Sequence, residues 1–193
     1  WINDNTCPIS KENIVPIGFS YFEAQSKDYV NMESVDNQVL FISQGVIGKY
    51  LADIAFEFAK SQKDFKIIYK LHPGEYATWR QNYPKLVEAS AFDNFEVIDN
   101  SEIPLYELMA KSNYQIGAFS TAIYEGLMFN CKTFIVDVPG TEYLNDLIEK
   151  GYVFKISDVD DLIDNFDDFT PTAYDKNFLF KNFDKKLLNS VID

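Results

Sequence analysis

The feature that most constrains this chain is a repeated alternation of a short β-rich run, a turn, and a segment with apolar residues at helical spacing. Asn37 to Gln44, NQVLFISQ, stops at Gly45; VIGKYLADIAFEFAKSQ follows, with Ile47, Leu51, Ile54, Ala55, Phe58 and Ala59 on one helical face. FKIIYKL is a second strand. Its helix, ATWRQNYPKLVEA, is expected to split at Pro84, because proline removes a helical donor and clashes with the preceding turn. FEVID leads into PLYELMAKS, where Pro104 suits a first helical turn. NYQIGAF precedes STAIYEGLMF, and CKTFIVDV precedes GTEYLNDLIEKG, closed by Gly151. YVFKIS precedes the acidic helix DVDDLIDNF.

Six strands alternating with helices through short connections require a parallel sheet, because each crossover helix must pack back over it. The expected fold is α/β, a Rossmann-like open parallel sheet of about six strands with helices on both faces. Residues 37–170 form that domain. Residues 1–36 are expected to be an interdomain tail or linker, since WINDNTCPISKEN has neither strand nor helix period. After Pro171, residues 171–193 are expected to form one amphipathic helix outside the repeat, with Phe178, Phe180 and Phe183 on it. The start at Trp1 suggests a piece of something longer, with the remainder on the N-terminal side.

With 193 residues, about half hydrophobic, the chain is long enough for one buried core. Charge interrupts every apolar run well before the ~20 residues needed to cross a bilayer. A net charge of -13 argues against a general nucleic-acid binder, whose affinity comes from basic side chains on phosphates. The charge is uneven. Between Gly45 and Lys85 seven basic residues face four acidic ones, so a small anion is welcome there. Cys7 and Cys131 lie far apart with a single histidine in the chain, which supports neither a thiolate metal site nor a disulfide framework; both are expected reduced and structural.

In an open parallel sheet, ligands bind beyond the carboxyl ends of the strands, where helix N-termini also point. Three loops stand out at that edge. SQGVIG, Ser43 to Gly48, carries glycines that either let the backbone approach a ligand or simply turn the chain. KLHPGEY places the lone histidine, His72, at the end of the second strand, with Pro73 fixing the backbone beyond it. Its imidazole can donate to a phosphate oxygen or pack against the next helix. Lys70 points away from His72 or sits beside it, depending on the pleat, and ranks below it. In GAFSTAIYEGL, Gly117 to Leu127, Ser120 or Thr121 falls at a helix start, as an anion cradle or as an ordinary N-cap. Glu125, a turn later, is either an acceptor for ribose hydroxyls or a solvated acid.

A strand ending in HP, followed some fifty residues later by a strand ending in a Ser/Thr pair that opens a helix, resembles the donor-binding half of B-type (GT-B) glycosyltransferases using cytidine-activated substrates. Bacterial sialyltransferases, capsule-linker Kdo transferases and teichoic-acid glycerophosphotransferases are similar in this arrangement. The similarity covers about Val39 to Phe166, and the pairing of HP with ST is more specific than either half. GTEYLNDLIEKG also resembles the loop and helix at that point of the fold.

The resemblance implies the C-terminal half of a GT-B fold that binds a cytidine nucleotide-sugar of the CMP-sialic acid or CMP-Kdo type, in bacterial surface polysaccharide synthesis. It implies that His72 stabilises the leaving phosphate, that Gly45, His72, Pro73, Gly117, Ser120 and Thr121 surround the donor, and that Glu125 approaches the ribose. It implies a glycan acceptor and a general base held by an N-terminal domain, so that this fragment is inactive alone, and the C-terminal helix would pack on that domain. No cofactor is called for and no metal. Asp158 and Asp160 match a DxD pattern but sit at a helix start, where acids favour the dipole. The location implied is cytoplasmic, with peripheral association at the inner face of the membrane for the full-length protein.

Two alternatives stay open. One is a UDP-sugar transferase or one half of a UDP-sugar 2-epimerase. The other is a non-catalytic Rossmann-like interaction module whose aromatic tail docks a partner. A dehydrogenase is disfavoured because no GxGxxG follows the first strand, and a Walker loop is absent.

Overall fold

The computed structural model describes residues 9–192, except the side chains of Lys11 and Phe178. The chain divides into two compact units, residues 28–173 and residues 9–27 together with 174–192. Along the chain the helices are α1 (Ser20–Ser26), α2 (Gly48–Ser61), α3 (Trp79–Asn82), α4 (Pro84–Ala89), α5 (Leu105–Lys111), α6 (Thr121–Met128), α7 (Asn145–Glu149), α8 (Val159–Asn165), α9 (Lys176–Leu179) and α10 (Lys185–Ile192).

The larger unit holds six strands: β1 (Gln38–Ile42), β2 (Lys66–Lys70), β3 (Phe95–Ile98), β4 (Tyr114–Gly117), β5 (Lys132–Val136) and β6 (Phe154–Ile156). They form one sheet in the order β3-β2-β1-β4-β5-β6, and every neighbouring pair is parallel. β1 is buried at all five positions, as a central strand covered on both faces must be. α2 packs against α4 and α8, and α5 against α6. The fold is therefore α/β and Rossmann-like, as the alternation predicts.

Local chemistry sets the boundaries. Pro84 opens α4 and separates it from α3, where proline cannot continue the helical ladder. Gly151 takes φ 68°, and its amide and that of Tyr152 bond back to Ile148 O (3.0 Å) and Leu147 O (2.9 Å), closing α7 in the left-handed cap glycine favours. The Asp158 carboxylate accepts from the Asp161 amide at 2.9 Å, so the DVD stretch caps α8.

One contact fixes α6 on the sheet. Gln115 of β4 is fully buried; its amide donates to Ile123 O and Thr133 Oγ1, both at 2.9 Å, and a Cβ at position 126 would run into its carbonyl oxygen. Only glycine lets the helix approach that closely. The Cys131 side chain is buried, its sulfur 3.4 Å from both Met109 O and Ser112 O; Cys7 lies outside the described residues.

In the smaller unit, Phe19, Phe22 and Phe180 stack, and the Phe183 amide donates to Glu23. The tail does not form the single helix expected of it. Phe180 is extended, and Asp184 starts a new helix by accepting the Leu187 amide at 2.9 Å, so α9 and α10 are separate. α1 was not expected either, because its seven residues are too few to show a helical period. Among the described residues, no helix is long and apolar enough to cross a membrane.

Candidate functional site

The order of the strands creates the site. From β1 the chain proceeds to β2 and β3 on one side, then returns to lay β4 on the other side of β1. The connections leaving β1 and β4 diverge, and a crevice opens between them at the carboxyl ends of the strands. A cavity of ≈ 470 Å³ lies there, lined by segments that follow β1, β2, β3 and β4. That volume falls in the range of small-ligand sites.

His72, Pro73, Ser120, Thr121 and Glu125 all line this cavity. The imidazole and the hydroxyl pair, distant in sequence, thus share one pocket. Gly45 and Gly117 do not line it. Gly45 faces an adjoining cleft with Val46, Lys49 and Asp53. Gly117 is packed, and a Cβ there would come within 3.1 Å of Ile123 Cδ1.

His72 is exposed and precedes a single 3₁₀ turn, Pro73–Glu75. Its Nδ1 accepts the Gly74 amide at 3.1 Å, and its own amide donates to Glu75 Oε2 at 2.7 Å. This is a capping-box arrangement. Because Nδ1 acts as acceptor, the neutral ring carries its proton on Nε2, which becomes its donor.

Glu75 is the centre of a network that sequence alone leaves hidden. It is only 5% exposed, and besides the His72 amide it accepts from Ser43 Oγ (2.9 Å) and Tyr83 OH (2.6 Å). Tyr69 OH lies 3.3 Å from Ser43 Oγ and 3.1 Å from Gly48 O. Burial, together with the nearby Glu75 charge, pushes the Tyr69 and Tyr83 hydroxyls well above the usual phenol range, so both remain donors. A Cβ at Gly48 would strike Glu75 Oε1 and Tyr83 OH. The glycine of the Ser43–Gly48 loop therefore makes room for this network. The one sequence signal for it is Glu three residues after His72, the spacing of a capping box.

The opposite wall is more open. Ser120 caps α6 by accepting the Ala122 amide at 3.3 Å, which leaves its hydroxyl proton to donate. The first amides of a helix have no partner within it. Glu125 is buried; desolvation holds its carboxyl above the ordinary range, partly offset by a hydrogen bond from Tyr106. Gln44, also on the wall, donates to Phe119 O at 2.8 Å, and its enclosed Oε1 has no hydrogen-bond partner among the described residues. The arrangement offers hydroxyl, amide and imidazole donors on two sides, with carboxylate and amide acceptors further in.

No protein-family model matches the sequence, and no curated protein is similar to it in sequence. Solved structures do match. The chain is similar to Methanocaldococcus jannaschii UDP-GlcNAc 2-epimerase in complex with UDP-GlcNAc and UDP, at TM-score 0.63 and 14% identity over 95% of this chain and 56% of that one. It is similar to TarM at TM-score 0.55 and 15% identity, over 84% of this chain and 33% of that one. The C-terminal CMP-Kdo binding domain of WaaA from Acinetobacter baumannii overlaps more loosely, at TM-score 0.48 and 12% identity, over 76% of this chain and 87% of that one. The likeness is one of fold. The α/β, Rossmann-like architecture expected of a GT-B carboxyl-terminal half is the architecture found, and the chain spans about half of the epimerase and a third of TarM.

Proposed function

We infer that this chain is the donor-binding part of a glycosyltransferase and takes a nucleotide-activated sugar at the sheet reversal. The observation that carries the reading is the single cavity lined by His72, Ser120, Thr121 and Glu125. His72 Nε2–H, the Ser120 and Thr121 hydroxyls and the amides opening α6 are donors suited to a phosphate. Glu125 supplies acceptors for ribose hydroxyls.

In the transfer, an acceptor hydroxyl oxygen attacks the anomeric carbon, the bond from that carbon to the phosphate oxygen breaks, and the nucleotide leaves with the electron pair. Donors already held around that oxygen stabilise the developing charge more than the ground state. The acceptor proton passes to a base, which this reading assigns to a second, acceptor-binding domain. The chain by itself then binds donor without turnover, and no metal is called for. The reading extends to bacterial surface polysaccharide synthesis on the cytoplasmic side, with the full-length protein associated peripherally with the membrane.

The base is proposed to be cytidine, on the joint occurrence of His72-Pro73 and Ser120-Thr121 in the two loops. Uridine is the second reading, favoured by the likeness to an epimerase solved with UDP-GlcNAc and UDP. Thermal denaturation with millimolar CMP, CDP, UMP and UDP tests both. CMP or CDP is expected to raise the melting temperature, and His72→Ala to abolish the rise. A larger rise with UDP moves the reading to uridine, and a folded sample indifferent to all four nucleotides overturns it.

A further inference from the structure

The cavity wall also carries a cation that phosphate binding by His72 and α6 leaves unused. Lys70 ends β2 two residues before His72; Leu71 between them is buried in the core, and its amide continues the ladder to Ile98 O at 3.1 Å. Residues two apart on an extended strand share a face, and both Lys70 and His72 line the cavity.

Lys70 is only 8% exposed. Its ammonium donates to Tyr76 OH at 2.6 Å and to Asn100 O, and lies 4.8 Å from the centre of the Tyr76 ring. All these partners are neutral. Among the described residues no carboxylate pairs with Lys70. A nearly buried ammonium satisfied only by dipoles costs more to bury than one paired with an anion. It has three protons, two are engaged, and one remains to give. The neighbouring Tyr76 hydroxyl shows the same field: burial alone would raise its pKa, but hydrogen bonds with Lys70 and Ser101 outweigh burial and lower it. Ser101 lies 3.4 Å from that hydroxyl and also lines the cavity.

We propose that this corner is a second anion subsite, so that the donor carries two anionic groups, a phosphate at His72 and α6 and a further anion at Lys70. The inference rests on the donor reading of the same cavity. Two donor types present such a pair. In a nucleoside monophosphate ester of a sugar acid the second anion is the sugar carboxylate; in a nucleoside diphosphate sugar it is the second phosphate.

Calorimetric titration of the chain with CMP, CDP, CMP-N-acetylneuraminate, UMP and UDP, repeated on Lys70→Met, tests this. At least one two-anion ligand is expected to bind wild type about tenfold tighter than its monophosphate, and Lys70→Met to erase that advantage while changing monophosphate affinity less than about threefold. An advantage for CMP-N-acetylneuraminate assigns the subsite to a carboxylate; one for CDP or UDP assigns it to phosphate. Without ligand, Lys70→Met is expected to melt no lower than wild type, since Tyr76 OH keeps Asn100 O at 2.9 Å.

Two-anion ligands that bind wild type no tighter than monophosphates overturn the subsite, as does a Lys70→Met that weakens both kinds alike or leaves the advantage intact. If monophosphate binding persists and depends on His72 while the advantage is absent, the subsite alone falls. If no nucleotide binds wild type, the donor reading falls and takes the subsite with it.

Discussion

On the β2 side of the cavity Glu75 gathers three donors, from Ser43, Tyr83 and the His72 backbone, whereas on the β4 side Ser120 receives a single amide and keeps a proton to give. The polar groups behind His72 are consumed by one another, so that wall is held in place before any ligand arrives. The groups at α6 are positioned by packing instead, through Gln115 pressed against Gly126, and their hydrogen-bonding capacity is left over. The contrast separates two jobs that are often fused in one residue: Glu75 shapes a surface it does not form, and Ser120 forms a surface that other residues shape.

The largest expected effect is therefore on the β2 side. Glu75→Ala strands the Ser43 and Tyr83 hydroxyls and the His72 amide, and should lower the unfolding free energy in denaturant by about 4 kcal/mol, at roughly 1 to 3 kcal/mol for each orphaned group. Glu75→Gln keeps acceptor capacity and should recover part of that loss. A loss below that of Ser120→Ala would end the contrast between the walls.

Gly126→Ala comes next. Its methyl group has no room beside Gln115, and overpacking of this kind costs about 3 kcal/mol in the same measurement. Because the strain falls on the element that presents Ser120, nucleotide affinity should fall as well. A stable variant with unchanged affinity would show that α6 does not depend on this contact.

Ser120→Ala should cost only about 1 kcal/mol of stability, as for other N-caps. It should nevertheless weaken nucleotide binding about tenfold, the loss of one hydrogen bond to a charged phosphate. A stability loss of that size with nucleotide affinity unchanged would mean that the hydroxyl is a cap and nothing more.

The smallest effect is one of pH. The Glu125 pKa is raised above 4.5 in the folded chain, so the folded state holds a proton that the unfolded state has released. Its contribution is complete below 4.5 and fades as pH rises through the folded value. Glu125→Gln should therefore gain on wild type as pH climbs from 4.5 to 8 in denaturant titrations. A gap that stays constant across that range would show that Glu125 is not held in its neutral form.

Much of this was legible from local pattern. Six strands, the break at Pro84, the cap at Gly151 and the helix start at Ser120 each follow from the residues that make them, because periodicity, ring closure and side-chain capping act over one or two turns. The place of His72 just beyond the carboxyl end of β2, on the cavity wall, followed from the end of its strand. The Glu75 network did not, because Ser43, Tyr83 and Glu75 come from different elements and meet only after β1 and β2 pair. Lys70 stayed ambiguous for a related reason: pattern fixes the alternation of a strand but not which side of its carboxyl end borders a crevice. The smaller unit was the least legible, since short helices such as α1 and α9 show too little of a period to be told from coil.

The pairing of β1 with β4, Val39 to Tyr114 through Phe41 to Ile116, joins segments far apart in the chain, and the crevice exists only once that seam has closed. A molecule settled in the crevice therefore acts as a clasp on the middle of the sheet. The backbone protons of β1 and β4 should then exchange with deuterium more slowly in its presence, and the strands would report occupancy without any label placed in the pocket.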